Sequence, residues 1–185
     1  MWFSSWLGKR QLAAASGRGR RSPRKRPTYR PRVEALEDRW VPAQVKLTVT
    51  SLADSGTGTL RAAIQTADAG SPSDKFTISF AVTGTIDLQT VLPDLSNSIT
   101  IQGPGASSLT VERAAGASFS SAIVTVDAGQ TASLSGLTIA NGNTGGISND
   151  DGTLTVSGCT FFGNSGQNGG GISNTGTVTM AEENE

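Results

Sequence analysis

The feature that most restricts the fold of this chain is a repeat near its C-terminal end. Gly145-Gly-Ile-Ser-Asn149 returns as Gly170-Gly-Ile-Ser-Asn174, an offset of 25, and Thr153-Leu-Thr-Val156 returns as Thr177-Val-Thr-Met180, an offset of 24. Leu134-Ser-Gly-Leu-Thr-Ile139 returns as Val156-Ser-Gly-Cys-Thr-Phe161, an offset of 22. A period in this range that holds three short strands is one turn of a parallel β-helix. Each turn then adds about 4.8 Å along the axis, and each apolar position stacks on its equivalent in the next turn. Composition agrees: with 23 glycines, 16% charged residues and 5% aromatics, the chain suits many short strands and tight turns better than packed helices.

Individual residues follow from this stacking. Cys159 takes the place of Leu137 one turn earlier, so it reads as a small core residue and not as a nucleophile. Asn149 and Asn174 should stack at one corner, their amides bonding along the axis. Gly145, Gly146, Gly170 and Gly171 should supply turn geometry where a side chain would clash.

Upstream the same texture continues without a fixed period. Residues 44–50 alternate polar and apolar, as a half-buried strand does. Strand-like segments follow at 76–82, 84–88, 98–102, 108–111 and 122–126, separated by turn-prone stretches around Pro93, Gly103 to Gly105 and Gly129. Only residues 59–69 read as a helix. Leu60, Ala63, Ile64 and Ala67 share one face, with Thr57 or Thr59 as the cap residue. Such a helix should cover the open end of the solenoid, which would otherwise present an aggregating edge.

Residues 1–43 are a separate object. Residues 1–40 carry eleven Lys or Arg against three acids, a net charge of +8, and residues 41–185 carry four against twelve, a net charge of −8. Residues 18–27 are a like-charge block with little to bury, expected to be disordered. Such a block attracts phosphate, but Tyr29 is the only nearby aromatic for stacking and no recognition fold follows, so no specific nucleic-acid role is expected. The apolar run from Met1 to Leu7 ends at Lys9 and is too short and misplaced for an ordinary secretory signal. No segment approaches the ~18 apolar residues of a membrane span, so no transmembrane segment is expected.

Val33-Glu-Ala-Leu-Glu-Asp-Arg-Trp-Val41 resembles the short N-terminal sorting segment of large planctomycete surface proteins, which pairs Leu-Glu-x-Arg with two apolar residues after an Arg-rich stretch. The resemblance implies export to the cell surface or exterior. Thr50-Ser-Leu-Ala-Asp-Ser-Gly-Thr-Gly-Thr-Leu-Arg-Ala-Ala-Ile64 is similar to the Cys-Ser-Leu-Arg-Glu-Ala segment of bacterial surface β-helix proteins, without its Cys and with Ala62 in place of Glu. The Gly-Gly-Ile pairs and Phe161-Phe-Gly-Asn164 resemble repeats of polymorphic outer-membrane and autotransporter-like passengers. Together these imply a right-handed, pectin-lyase-like parallel β-helix over residues 44–185. The chain ends Ala181-Glu-Glu-Asn-Glu185 where a further turn is due, so a truncated domain is expected.

The functional expectation is a non-enzymatic, secreted or surface-exposed protein with a structural or adhesive role, and polysaccharide or other cell-surface components as its partner class. The chain has no histidine, which removes the commonest general base and zinc ligand, and a single cysteine, which precludes an internal disulfide. No catalytic, cofactor-binding or metal residue and no cofactor is assigned. The competing expectation is a relative of the polysaccharide lyases and hydrolases, which need clustered carboxylates, or carboxylates around calcium with a basic residue. Asp150-Asp151 reads as the only acidic pair in the repeats. Its members should point to opposite sides of an extended chain, the equivalent place near Thr175 has no carboxylate, and the nearest preceding basic residue is Arg113.

Overall fold

The computed structural model describes residues 42–181. The proposed sorting segment, the basic block and residues 182–185 lie outside the described residues. What is described is a parallel β-helix of about four turns with one short helix.

The described elements follow in the order β1 (Gln44–Val49), α1 (Leu60–Asp68), β2 (Lys75–Phe80), β3 (Gly84–Leu88), β4 (Ile99–Gln102), β5 (Leu109–Arg113) and β6 (Val124–Val126). Then come β7 (Thr131–Ser135), β8 (Thr138–Ala140), β9 (Ile147–Asn149), β10 (Thr153–Ser157), β11 (Thr160–Phe162), β12 (Ile172–Asn174) and β13 (Thr177–Ala181). They build three parallel sheets. The first runs β1-β2-β4-β7-β10-β13, the second β3-β5-β8-β11, and the third β6-β9-β12. Leu95 pairs with Val126, so the third sheet gains a rung from the turn before β6.

Register makes the core a set of vertical columns. In the first sheet Leu47, Ile78, Ile101, Leu134, Val156 and Met180 are consecutive partners. In the second, Ile86, Val111, Ile139 and Phe161 stack in the same way. The middle members of both columns are almost fully buried. Each fully buried aliphatic side chain contributes about 1.5–3 kcal/mol relative to exposure, so the columns are the main stabilising feature. Alternation along the strands puts the residues between them outside.

The spacing of equivalent positions is uniform only in the C-terminal half. The offset from Leu134 to Val156 is 22 and that from Val156 to Met180 is 24, as the repeats predict. Earlier offsets are 31 (Leu47 to Ile78), 23 (Ile78 to Ile101) and 33 (Ile101 to Leu134). The first long turn holds α1, and the second holds a loop at residues 114–123.

Helix α1 caps the N-terminal turn as its sequence predicts. Thr59 is its N-cap, accepting a hydrogen bond from the Ala62 N–H at 3.2 Å, and Leu60, Ala63, Ile64 and Ala67 are its buried face. The helix is fastened at both ends. Arg61 pairs with Asp54 at 2.6 Å, donates to the carbonyl of Thr90 at 2.8 Å and also reaches the carbonyl of Val91. Thr90 in turn donates to Asp54 at 3.0 Å. At the other end Asn97 donates to the carbonyls of Ala67, in the last turn of the helix, and Gly70, just beyond it. The Thr59-Leu-Arg-Ala-Ala segment is thus the fastening of the cap: one residue starts the helix, one fills the core and one ties it to the next turn.

At the corner after the third sheet, Asn149 is fully buried and donates to Asn174 Oδ1 at 2.6 Å and to the carbonyl of Gly152 at 3.1 Å. This is the expected amide stack. Asn149 Oδ1 has no hydrogen-bond partner and faces Gly152, where an added Cβ would come within 2.7 Å of it. Asn164 fastens the neighbouring corner, accepting from the Gly142 N–H and donating to the Ile139 carbonyl, both at 2.8 Å. A Cβ on Gly146 or Gly170 would meet backbone oxygen at 2.8 Å, as the turn reading requires. At Gly171 it would make only ordinary contacts. Cys159 is half-buried and packs against the core, in line with its place above Leu137.

Candidate functional site

A polar concavity lies on the outer face of the third sheet. Register stacks Asp94, Thr125, Ser148 and Ser173 in one outward column, because each flanks an inward residue of the ladder. These four side chains floor a groove of about 710 Å³. One wall comes from the loops that lead into the sheet: Ser120 and Ser121, Asn143 and Thr144, Gln167 and Asn168. Asp150 closes the opposite side, accepting a hydrogen bond from Ser148 Oγ at 2.7 Å. The lining contains hydroxyl, amide and carboxylate groups and no aromatic ring.

Three carboxylates gather along this corner. Asp127 occupies the rung before Asp150, since Val126 pairs with Asn149. Its carboxyl is held above the usual carboxylate value, first by burial and then by the charges of Asp94 and Asp150. Asp68, at the end of α1, is also raised, mainly by burial, although hydrogen bonds from Ser96 oppose the shift.

A second acidic pair stands on the outer face of the second sheet. Asp87 and Glu112 are direct partners between β3 and β5. Glu112 is raised by burial and then by its hydrogen bond to Asp87 and that residue's charge; Asn141, donating to Glu112 at 2.9 Å, acts in the opposite direction. The expectation that Asp150-Asp151 is the only acidic pair covered the repeats alone and did not reach this pair, which lies in the earlier turns. The signal was in the sequence: Asp87 and Glu112 stand at an offset of 25, within the repeat period, so a strict coil alignment would have matched them.

Asp150 and Asp151 sit in a turn between β9 and β10, and only Asp150 lines the groove. Asp151 sits in the left-handed region at φ 57° and its N–H donates to Thr175 Oγ1 at 3.0 Å. Thr175 is indeed its neighbour in the next turn. Arg113 is committed elsewhere: its Nε donates to the Phe119 carbonyl at 3.1 Å and its guanidinium lies 5.4 Å from the Phe119 ring centre. It holds the 114–123 loop and offers no charge to Asp150. Among the described residues no group of three or more Cys, Asp or Glu side chains is arranged to hold a metal ion.

A second hollow of about 600 Å³ lies between β1 and α1, lined by Leu47, Gly56, Arg61, Ala62 and Thr66 among others. Arg61 is its only ionisable side chain and is occupied by the cap's own bonds, so this hollow is a seam in the fold. No helix among the described residues is long and apolar enough to cross a membrane. No protein-family model, no curated protein and no solved structure matches the chain.

Proposed function

We propose that this is an exported, non-enzymatic β-helix protein of the cell surface or exterior, and that its third-sheet groove holds an extended polysaccharide. One observation carries the reading: hydroxyl and carboxylate groups from four successive turns stand in a single outward column, Asp94-Thr125-Ser148-Ser173, flanked by amides. Groups repeating at the strand spacing of about 4.8 Å suit a linear polymer of hydroxyls, to which they both donate and accept. Export follows from the resemblance of residues 33–41 to a surface-protein sorting segment. Adhesion or matrix building is then the role of the chain, with binding and no turnover as its chemistry.

The Asp87–Glu112 pair and the Asp94, Asp127 and Asp150 group support a second reading, a polysaccharide lyase or hydrolase, because such enzymes work through paired carboxylates. Fold alone does not choose between the two. Titration of the chain with neutral and anionic polysaccharides, with and without calcium, distinguishes them. The expected result is saturable binding that is abolished by Ser148→Tyr, which fills the groove from an outward strand position, with no new chain ends released. Depolymerisation lost in Glu112→Gln or Asp150→Ala would replace the binding reading with the enzymatic one. Absence of any binding would remove the polysaccharide.

A further inference from the structure

The chain contains two Asn-Gly steps, Asn141-Gly142 and Asn168-Gly169. An Asn-Gly step can modify itself, because the backbone nitrogen of the glycine can attack the asparagine side-chain carbonyl without hindrance from a Cβ. Whether it does so depends on two freedoms, that of the asparagine side chain to turn back on the chain and that of the following N–H to leave its hydrogen bond. The fold treats the two steps in opposite ways.

At the first step both freedoms are gone. The Gly142 N–H donates to Asn164 Oδ1 at 2.8 Å, and Gly142 is buried. The Asn141 side chain donates to Glu112 at 2.9 Å, and its own N–H donates to the Phe162 carbonyl at 3.1 Å. At the second step neither is restricted. Asn168 is exposed, and neither its side chain nor the Gly169 N–H has a hydrogen-bond partner among the described residues. The step lies in the loop between β11 and β12, between two anchors to the turn below: the Ser165 N–H donates to the Gly142 carbonyl at 2.7 Å before it, and the Gly146 N–H donates to the Gly170 carbonyl at 3.0 Å after it.

The geometry points to Asn168 as a site of spontaneous deamidation on the rim of the groove. Gly169 N forms a bond to Asn168 Cγ, the Cγ–Nδ2 bond breaks, and the proton from the Gly169 amide leaves with the nitrogen as ammonia. Water then opens the succinimide at either carbonyl, giving aspartate or isoaspartate at position 168. No reagent other than water is consumed. Either product adds a carboxylate to a groove that already holds Asp94 and Asp150, and the isoaspartyl form also lengthens the loop backbone by one methylene. The wall that offers an amide to a ligand becomes one that repels anions.

The test is ageing of the native protein in mildly alkaline buffer, followed by peptide mass mapping and enzymatic detection of isoaspartate. A parallel sample is aged in denaturant. In the native sample conversion at Asn168 should exceed that at Asn141 by at least about tenfold, because Asn141 reacts only when its turn opens. In denaturant the two steps should convert at similar rates. Asn168→Gln should remove the native signal and leave the circular dichroism spectrum unchanged. Equal native rates at the two sites, or a native Asn168 that stays intact while the denatured one converts, would overturn the assignment.

Discussion

The two ends of the described solenoid are finished differently. At the first turns, a helix lies over the core and long-range bonds from Arg61, Asn97 and Asp54 hold it there, leaving Ile64 and Val49 without exposure. At the last turns, among the described residues, no helix follows, and the first-sheet column runs out into solvent: Met180, its last member, is 62% exposed. The first described turns are thus held by a helix and an ion pair tied across long loops, and the last by the strand ladder and the corner bonds of Asn149, Asn164 and Asn174, each rung resting on the one before. In a quasi-one-dimensional fold this difference sets where opening begins.

The largest effect that separates the ends should come from one core column. Ile78→Ala should cost about 2–5 kcal/mol, whereas Met180→Ala, at the far end of the same column, should change stability by no more than about 0.5 kcal/mol. Urea denaturation of both variants checks this, and similar losses would mean that the last rung is as well packed as the second.

The fastenings should rank next. Arg61→Gln removes the ion pair and three carbonyl bonds, leaves Asp54 half-buried without its ionic partner, and should cost about 2–3 kcal/mol. Asn174→Ala, which removes an exposed rung of the amide stack, should cost about 1 kcal/mol. Amide exchange locates the damage: faster exchange in α1 is expected from the first variant, and in β12 and β13 from the second. Protection of α1 unaffected by Arg61→Gln would show that the cap is held by its apolar face alone.

The smallest effect is a pH dependence confined to one half. Asp68, Glu112 and Asp127 are all raised, and all lie before β7. A raised carboxyl keeps its proton in the folded chain after the unfolded chain has lost its own. The contribution to stability is therefore complete below the ordinary carboxylate range, near about 4, and is lost as pH rises through the raised values. Mild acidification from neutral pH should raise amide protection, taken relative to the intrinsic exchange rate at each pH, in the turns before β7 and leave that of β10 to β13 unchanged, and Asp127→Asn should reduce the gain. Acid-induced loss of protection in the first turns would reverse the sign and sink the account.

The same division explains what could be read from sequence. The C-terminal repeats were legible because nothing interrupts turns with offsets of 22 and 24, so Leu134, Val156 and Met180 align by counting. The helix was legible from Leu60, Ala63, Ile64 and Ala67, since its helical period stands out against alternating strands. The early turns were legible only as strands. Their partners are displaced by α1 and by the 114–123 loop, so no fixed offset connects Leu47 to Ile78 or Ile101 to Leu134. The groove was hidden for the same reason. Asp94 joins Thr125 and Ser148 only once Leu95 is known to pair with Val126, and a single bridge leaves no pattern in the residues around it.

The 114–123 loop carries a broader consequence. The turn that contains it has an offset of 33 where its neighbour has 22, yet Ile101 and Leu134 meet in the same register as Leu134 and Val156. Length can therefore vary at a corner without disturbing the ladder on either side. The residues nearest these corners, Ser120 to Ala122 and Asn143 with Thr144, are also the ones that wall the groove. Heritable change in the shape and lining of the groove can accumulate by insertion and deletion at the corners while the core stays under purifying constraint, so relatives of this chain should differ most in loop length and least along the inward columns.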